Sequence, residues 1–247
     1  MKKSTEKYDV ICSLGYNCEV SFRIEDFWGN LCSTPFTWSF ATDRDKFVKA
    51  IQSFEDIFTG DVSIQEDNMF MCEKYGLKFH PRYAIFPHHG AYTEEQAEEA
   101  LSELKSRVAH LKELFLNLSK SGKRVLFFLK VDDKGDADNA RYISAVDDAL
   151  KLHFSSDSYT LAVVMIKGHV GAQVKELESR NIKAYEVKKF ASQRFTDIGG
   201  DVSGWLRMFK AACGGNGNSF HFYCSLYKRR IKRYIASGKN FLKKLKR

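Results

Sequence analysis

Short apolar runs alternate with longer amphipathic stretches along this chain of 247 residues. The first run, Tyr8 to Leu14, is rich in β-branched residues and closed by Gly15, which reads as a buried strand. Val20, Phe22 and Ile24 then recur amid charged residues, predicting a helix that opens near Asn17 or Cys18, with less regular spacing than an ordinary amphipathic helix. A second helix is expected over Asp43 to Phe58, carrying Phe47, Ile51, Phe54 and Phe58 behind a cap at Thr42 or Asp43. Met69 to Phe86 alternates loosely around Gly76 and Pro81, predicting a hairpin or an irregular excursion that presents His80, His88 and His89 in a loop.

The second half is more regular. Thr93-Glu94-Glu95-Gln96 is a capping box, and Leu101, Leu104, Val108, Leu111, Leu114 and Leu118 continue it as one face of a helix to about Lys120. Strands are predicted at Arg124 to Val131, Tyr159 to Ile166 and Ile182 to Val187, separated by helices at Asp138 to Leu152 and Ala172 to Arg180. Strand, helix and strand in repeated order build parallel βαβ units. The expected fold is α/β: an open three-layer sheet, mostly parallel, with helices on both faces. Residues 1–212 would form this domain. Residues 213–247 would form a glycine-rich linker, Gly214 to Asn218, and a basic helical tail.

Charge sharpens that division. Ten basic residues and no acidic one lie between Lys228 and Arg247, so removing them from the chain's +8 leaves −2 for the body. Ile231, Tyr234, Ile235, Phe241, Leu242 and Leu245 punctuate the tail at helical spacings. A basic amphipathic helix of this kind suits an anionic membrane surface, with a solvated tail as the bland alternative; nucleic acid is not the expected partner, because the body carries no recognition module. The six cysteines lack the paired spacing of a zinc site, and no apolar leader follows Met1-Lys2-Lys3. Free thiols and a cytoplasmic location, peripheral at the inner face of the membrane, are therefore expected, with no metal.

The candidate chemistry starts at Cys18, in Ser13-Leu14-Gly15-Tyr16-Asn17-Cys18. A thiol at a helix N-terminus, just past the carboxyl end of a strand in an open α/β sheet, lies where such folds bind ligands. The helix dipole and unpaired N–H groups there favour a thiolate and could hold an oxyanion, with Gly15 and Asn17 shaping the turn. A small buried cysteine that merely packs is the alternative. Lys130-Val131-Asp132-Asp133 ends a strand at the same edge and could bind a polar substrate or a metal, or could simply close the strand. His110, His153 and His221 read as structural.

Four segments together carry a family resemblance: Ser13-Leu14-Gly15-x-x-Cys18, Pro35-Phe36-Thr37-Trp38, the Phe/His/Pro region at 79–89, and Asp201-x-x-x-Trp205 with Phe209. The pattern resembles a bacterial family of unknown function described as papain-like cysteine peptidases, whose members often sit among cell-surface polysaccharide genes. Thr37 stands where members more usually carry Asp. The resemblance implies a Cys/His site: Cys18 as nucleophile, His89, His88 or His80 as base, Asp201 as the acid that orients it, and Trp38 and Trp205 beside the substrate. A surface His-His pair and a helix N-cap at Asp201 are the competing readings.

A parallel sheet differs from a papain arrangement, and the nucleophile turn is closer to that of GDSL-type hydrolases and of a capsule-biosynthesis acetyltransferase family that uses acyl-coenzyme A. The late Asp-x-x-His of those hydrolases is absent, since Ser203 and Gly204 follow Asp201 and Val202. Two functional classes follow. One is a thiol hydrolase or acyltransferase acting on a saccharide or acyl-donor substrate in surface-polysaccharide biosynthesis, needing no cofactor unless acyl-coenzyme A is the donor. The other is a non-catalytic binding or assembly factor of the same pathway.

Overall fold

A computed structural model describes residues 8–15, 18–29, 32–81, 91–179, 181–192, 199–213, 223, 224, 226–228 and 231. Its frame is a parallel sheet of four strands: β1 (Val10–Ser13), β6 (Val125–Lys130), β7 (Tyr159–Ile166) and β8 (Ile182–Val187), side by side in that order. Val10 pairs with Val125, Val125 with Tyr159, and Leu161 with Ile182. Central strands covered on both faces need apolar residues at every position, and all six residues of β6 are buried.

The two faces receive different helices. On one, α1 (Cys18–Trp28) and α6 (Val202–Cys213) pack Val20, Ile24, Phe27, Trp205 and Phe209 against Ile11, Leu126 and Phe128. On the other, α2 (Arg44–Gln52), α3 (Glu94–Lys120), α4 (Asp136–Lys151) and α5 (Ala172–Glu176) share a core with Cys12, Leu14, Phe127 and Val163. Alternate residues of β6 thus serve opposite layers, as a pleat requires. Phe115 lies at the centre of the larger core, with its ring 4.9 Å from Phe54, 5.6 Å from Phe36 and 5.5 Å from Phe154. The three-layer α/β architecture is as the sequence predicts.

The predicted elements recur with small shifts at their ends. Thr93 makes the capping box with Gln96, each side chain bonding the other's backbone N–H. Asp43 caps α2 by accepting from the Lys46 N–H at 2.7 Å. That helix stops at Gln52, and a 3-10 turn at Phe54–Asp56 takes its place to Phe58. The helix predicted from Ala172 likewise ends at Glu176 and continues as a 3-10 turn, Leu177–Ser179. The excursion at 69–86 contains a hairpin, β4 (Phe70–Cys72) with β5 (Leu77–Phe79).

That hairpin belongs to a second sheet that the hydrophobic pattern did not announce. β2 (Ser39–Ala41) and β3 (Val62–Ile64) join it in the antiparallel order β2-β5-β4-β3. Each strand has three residues, too few to display a period of two. In the tail, residues 223, 224, 226–228 and 231 are helical and Leu226 is buried; the rest of the basic stretch lies outside the described residues. Among the described residues no helix is long and apolar enough to cross a membrane.

Candidate functional site

Cys18 is the first residue of α1, directly past the carboxyl end of β1. The turn that brings it there depends on Gly15, whose φ of +78° is left-handed. A Cβ on Gly15 would lie 2.7 Å from the Phe36 carbonyl oxygen and 3.1 Å from Ser39 Oγ. The turn is therefore pressed onto the Pro35-Phe36-Thr37-Trp38 segment. Ser21 Oγ donates to the Thr37 carbonyl, and Phe22, one helical turn on from Cys18, meets the Trp38 ring edge-on at 5.2 Å. Thr37 is buried; its Oγ1 accepts from the Thr34 N–H at 2.8 Å and lies 3.1 Å from Thr34 Oγ1.

The residue after Cys18 fixes the site most firmly. Glu19 has no solvent exposure. Its Oε2 accepts from Lys130 Nζ at 3.1 Å, and its Oε1 accepts from the Ala191 N–H at 3.0 Å and from Trp205 Nε1 at 3.1 Å. The Lys130 ammonium also sits 4.2 Å from the centre of the Phe190 ring. One carboxylate thus joins the start of α1, the end of β6, the segment after β8 and the indole of α6. A second buried pair lies further along the same helix: Arg23 Nη1 is 3.5 Å from Asp26 Oδ2, and Arg23 Nη2 donates to the Gly199 carbonyl at 2.5 Å. Gly200 makes room for this packing, since a Cβ there would meet both the Ala191 nitrogen and Glu19 Oε1 at 2.8 Å.

These contacts explain the irregular pattern of α1. Glu19, Arg23 and Asp26 are buried beside Val20, Ile24 and Phe27, so its inward face is partly charged. Charged residues inside a helix pattern normally mark its solvent side, and no sequence signal separated these from such a face. Of the two readings of Lys130-Val131-Asp132-Asp133, a ligand site or a simple strand end, Lys130 fits the second, being buried against Glu19. The carbonyl of Asp132 accepts from Arg44 Nη2 at 2.5 Å, and Asp133 Oδ1 accepts from the Gly135 N–H at 3.0 Å.

Burial pushes the Cys18 thiol up to about 11, so its described surroundings favour the protonated form. Trp205 is fully buried, with its indole on Glu19. Asp201 opens α6: its Oδ1 accepts from the Gly204 N–H at 2.9 Å and its Oδ2 from the Lys188 N–H at 2.8 Å. Burial acts to raise its carboxyl, but the Lys188 and Gly204 N–H donors together with the Arg207 and Lys188 cations outweigh that and hold it below the usual range. This is the helix N-cap geometry. Asp201→Ala is expected to cost about 1–2 kcal/mol in denaturant unfolding at pH 7. Because its folded-state pKa is depressed, its contribution is present above about pH 4 and is lost as pH falls through the lower folded value, so wild type and variant should converge in acid.

His80 directly follows β5. Phe79 pairs with Ser39, so the next residues along the two strands are His80 and Trp38. The His80 residue is exposed, and its carbonyl accepts from Arg107 Nη2 at 2.5 Å. Among the described residues no imidazole is hydrogen-bonded to Cys18. His88, His89 and Asn17 lie outside the described residues. His153 bonds the Ile51 carbonyl at 2.8 Å between Phe54 and Phe115, a structural place. Gly15, Cys18 and Trp38 therefore gather at one edge of the parallel sheet, with Trp205 joined to them through Glu19 and Asp201 behind Trp205.

Among the described residues no group of three or more His, Cys, Asp or Glu side chains converges to hold a metal ion. A separate cleft of about 390 Å³ opens past β6, lined by Thr42, Asp43, Arg44, Lys134, Asp138 and Tyr142, with the Arg44 guanidinium 4.7 Å above the Tyr142 ring. No protein-family model, curated protein or solved structure matches this chain.

Proposed function

We propose that the chain is a cysteine-nucleophile enzyme, a hydrolase or acyltransferase, with Cys18 as the attacking group. The observation that carries this reading is the placement of Cys18. It is the first helical residue past the carboxyl end of a parallel strand, and neighbouring Gly15 and Glu19 are held in place by backbone and buried polar contacts. Rigid support of this kind is what a reacting atom needs. Backbone N–H groups at the start of α1 supply donors for an acyl oxyanion.

A thiol near 11 is not a standing thiolate, so the mechanism needs a base that takes the proton as sulfur attacks an acyl carbon. His88 and His89 are the proposed bases, with His80 as the third candidate beside Trp38. The donor is an acyl ester or thioester, and an acyl-coenzyme A if the acceptor is a saccharide. The basic stretch 228–247 would hold the protein at an anionic membrane surface, close to a lipid-linked substrate. The tie to surface-polysaccharide biosynthesis rests on the family resemblance of the four motif segments.

One observation favours the alternative, a non-catalytic binding or assembly factor: the described environment raises the Cys18 thiol and offers it no hydrogen-bonding imidazole. A single experiment separates the two. The full chain is treated with p-nitrophenyl acetate, and acetylation of Cys18 is followed by mass spectrometry from pH 6 to 11. The enzyme reading expects an adduct concentrated at Cys18, with an inflection in the imidazole range that disappears in a His88→Gln/His89→Gln variant. A rate that climbs roughly tenfold per pH unit towards 11, with acetylation spread over several cysteines, supports the binding factor instead.

A further inference from the structure

Two other cysteines, Cys12 and Cys32, sit opposite one another on neighbouring strands. Cys12 is in the middle of β1, fully buried on the face turned to the larger core. Cys32 follows the loop after α1 and forms an isolated parallel bridge with Cys12, on the side of β1 away from β6. Bridged residues of neighbouring strands have Cα atoms about 5 Å apart, inside the roughly 4.4–6.8 Å range that a disulfide spans. Both side chains pack on the same core, from neighbouring positions of the bridge.

Their exposures differ in a useful way. Cys32 is partly accessible, whereas Cys12 is sealed. The neighbouring Cys12 thiol lowers the Cys32 thiol, burial opposes that, and the Lys123 charge helps it; burial raises the Cys12 thiol. A partly accessible thiol whose pKa is lowered, bridged to a second cysteine on the neighbouring strand, is the arrangement of an oxidisable pair.

We propose that Cys12 and Cys32 form a reversible disulfide when the protein meets a peroxide. The Cys32 thiolate attacks one peroxide oxygen and releases hydroxide, which takes a proton to become water, leaving Cys32 as a sulfenic acid. The Cys12 thiol then gives up its proton and its sulfur attacks Cys32, which expels the second water. Two thiols lose two protons and two electrons in all, and one hydrogen peroxide becomes two waters. A small thiol such as glutathione reverses the bond by exchange. The closed loop runs from residue 12 to residue 32 and so encircles α1 and Cys18. The bond would fasten the nucleophile turn from behind without consuming Cys18. It does not depend on the proposed activity.

The test uses the full chain, treated with hydrogen peroxide, then blocked with N-ethylmaleimide and digested without reductant. Chymotrypsin is needed, because cleavage after Tyr16 separates Cys12 from Cys18, which trypsin leaves in one peptide. The expected products are a Cys12–Cys32 linked peptide that dithiothreitol releases, a free Cys18, and a Tm of the oxidised protein roughly 5–10 °C higher. Cys32→Ser should abolish the link, and Cys12→Ser should leave a sulfenic acid on Cys32 that dimedone traps. Because Cys12 is buried, Cys32→Ser at its half-exposed site keeps the test valid if Cys12→Ser folds poorly. A Cys18–Cys32 link would overturn the proposal, as would oxidation of Cys32 to sulfinic acid in the wild type while Cys12 stays reduced.

Discussion

Glu19→Ala is expected to lower the unfolding free energy by about 3–5 kcal/mol, measured by urea denaturation at pH 7. The reason is what it leaves behind: a Lys130 ammonium with almost no exposure, the Ala191 N–H, and the Trp205 indole N–H, all of which bond Glu19. Breaking one side of a buried ion pair costs more than the pair itself contributes, because the remaining charge keeps its desolvation penalty. Lys130→Met added to Glu19→Ala should therefore recover part of the loss, even though two groups have been removed rather than one. A single variant within about 1 kcal/mol of wild type, or a double variant weaker than the single, would show that the network is not the anchor its geometry suggests. Glu19→Gln keeps an acceptor for the two N–H donors and should fall between.

Trp205→Ala is the second large effect, at about 3–5 kcal/mol. Its indole is fully buried, with ring centres 5.9 Å from Phe209 and 6.3 Å from Phe190. Trp205→Phe retains much of the packing and loses the Nε1 donor, so it should cost about 1–3 kcal/mol, the range for one buried acceptor left short of a partner. The two variants divide the contribution of Trp205 into volume and hydrogen bond. Both changes act on Glu19, which follows Cys18 in the chain and accepts from the Trp205 indole. If the proposed acyl transfer holds, Trp205→Phe should slow acetylation of Cys18 while leaving the other cysteines unchanged; an equal change at all of them would mark the indole as a packing group alone.

The sequence carried the frame of this molecule more clearly than its site. Strands β7 and β8 were predicted with the bounds the structure gives, because their apolar runs end at turns on both sides and nothing but burial governs them. The long α3 was legible from its capping box, but its leucine spacing only partly marked the buried face: Leu104, Val108 and Leu118 are buried with Ala100 and Phe115, while Leu114 is exposed. Sheet β2-β5-β4-β3 was missed in part because strands of three residues are held by pairing and by the core behind them, and neither is visible along the chain. At the candidate site, Gly15, Cys18, Trp38, Asp201 and Trp205 were singled out from motifs. What joins them was not, because Glu19, Arg23 and Asp26 look like an ordinary solvated face until the segments at 188–192 and 199–201 are seen folded over them. Lys130 was legible as a strand end, but its pairing with Glu19 was hidden for the same reason.

The position of β1 has a consequence for how the chain is made. Its neighbour in the sheet is β6, and the Arg124 N–H that bonds Asp9 beside it belongs to a residue 115 positions further on. Between them lie α1, α2, the whole antiparallel sheet and α3. On a ribosome adding about 5–20 residues per second, β1 waits several seconds or more after its own synthesis for its partner. Closing so long a separation is also the slow kind of step in a folding reaction. The turn that carries Cys18 is therefore seated only after β6 has been made, so the chain acquires its candidate chemistry once every element between β1 and β6 has been synthesised.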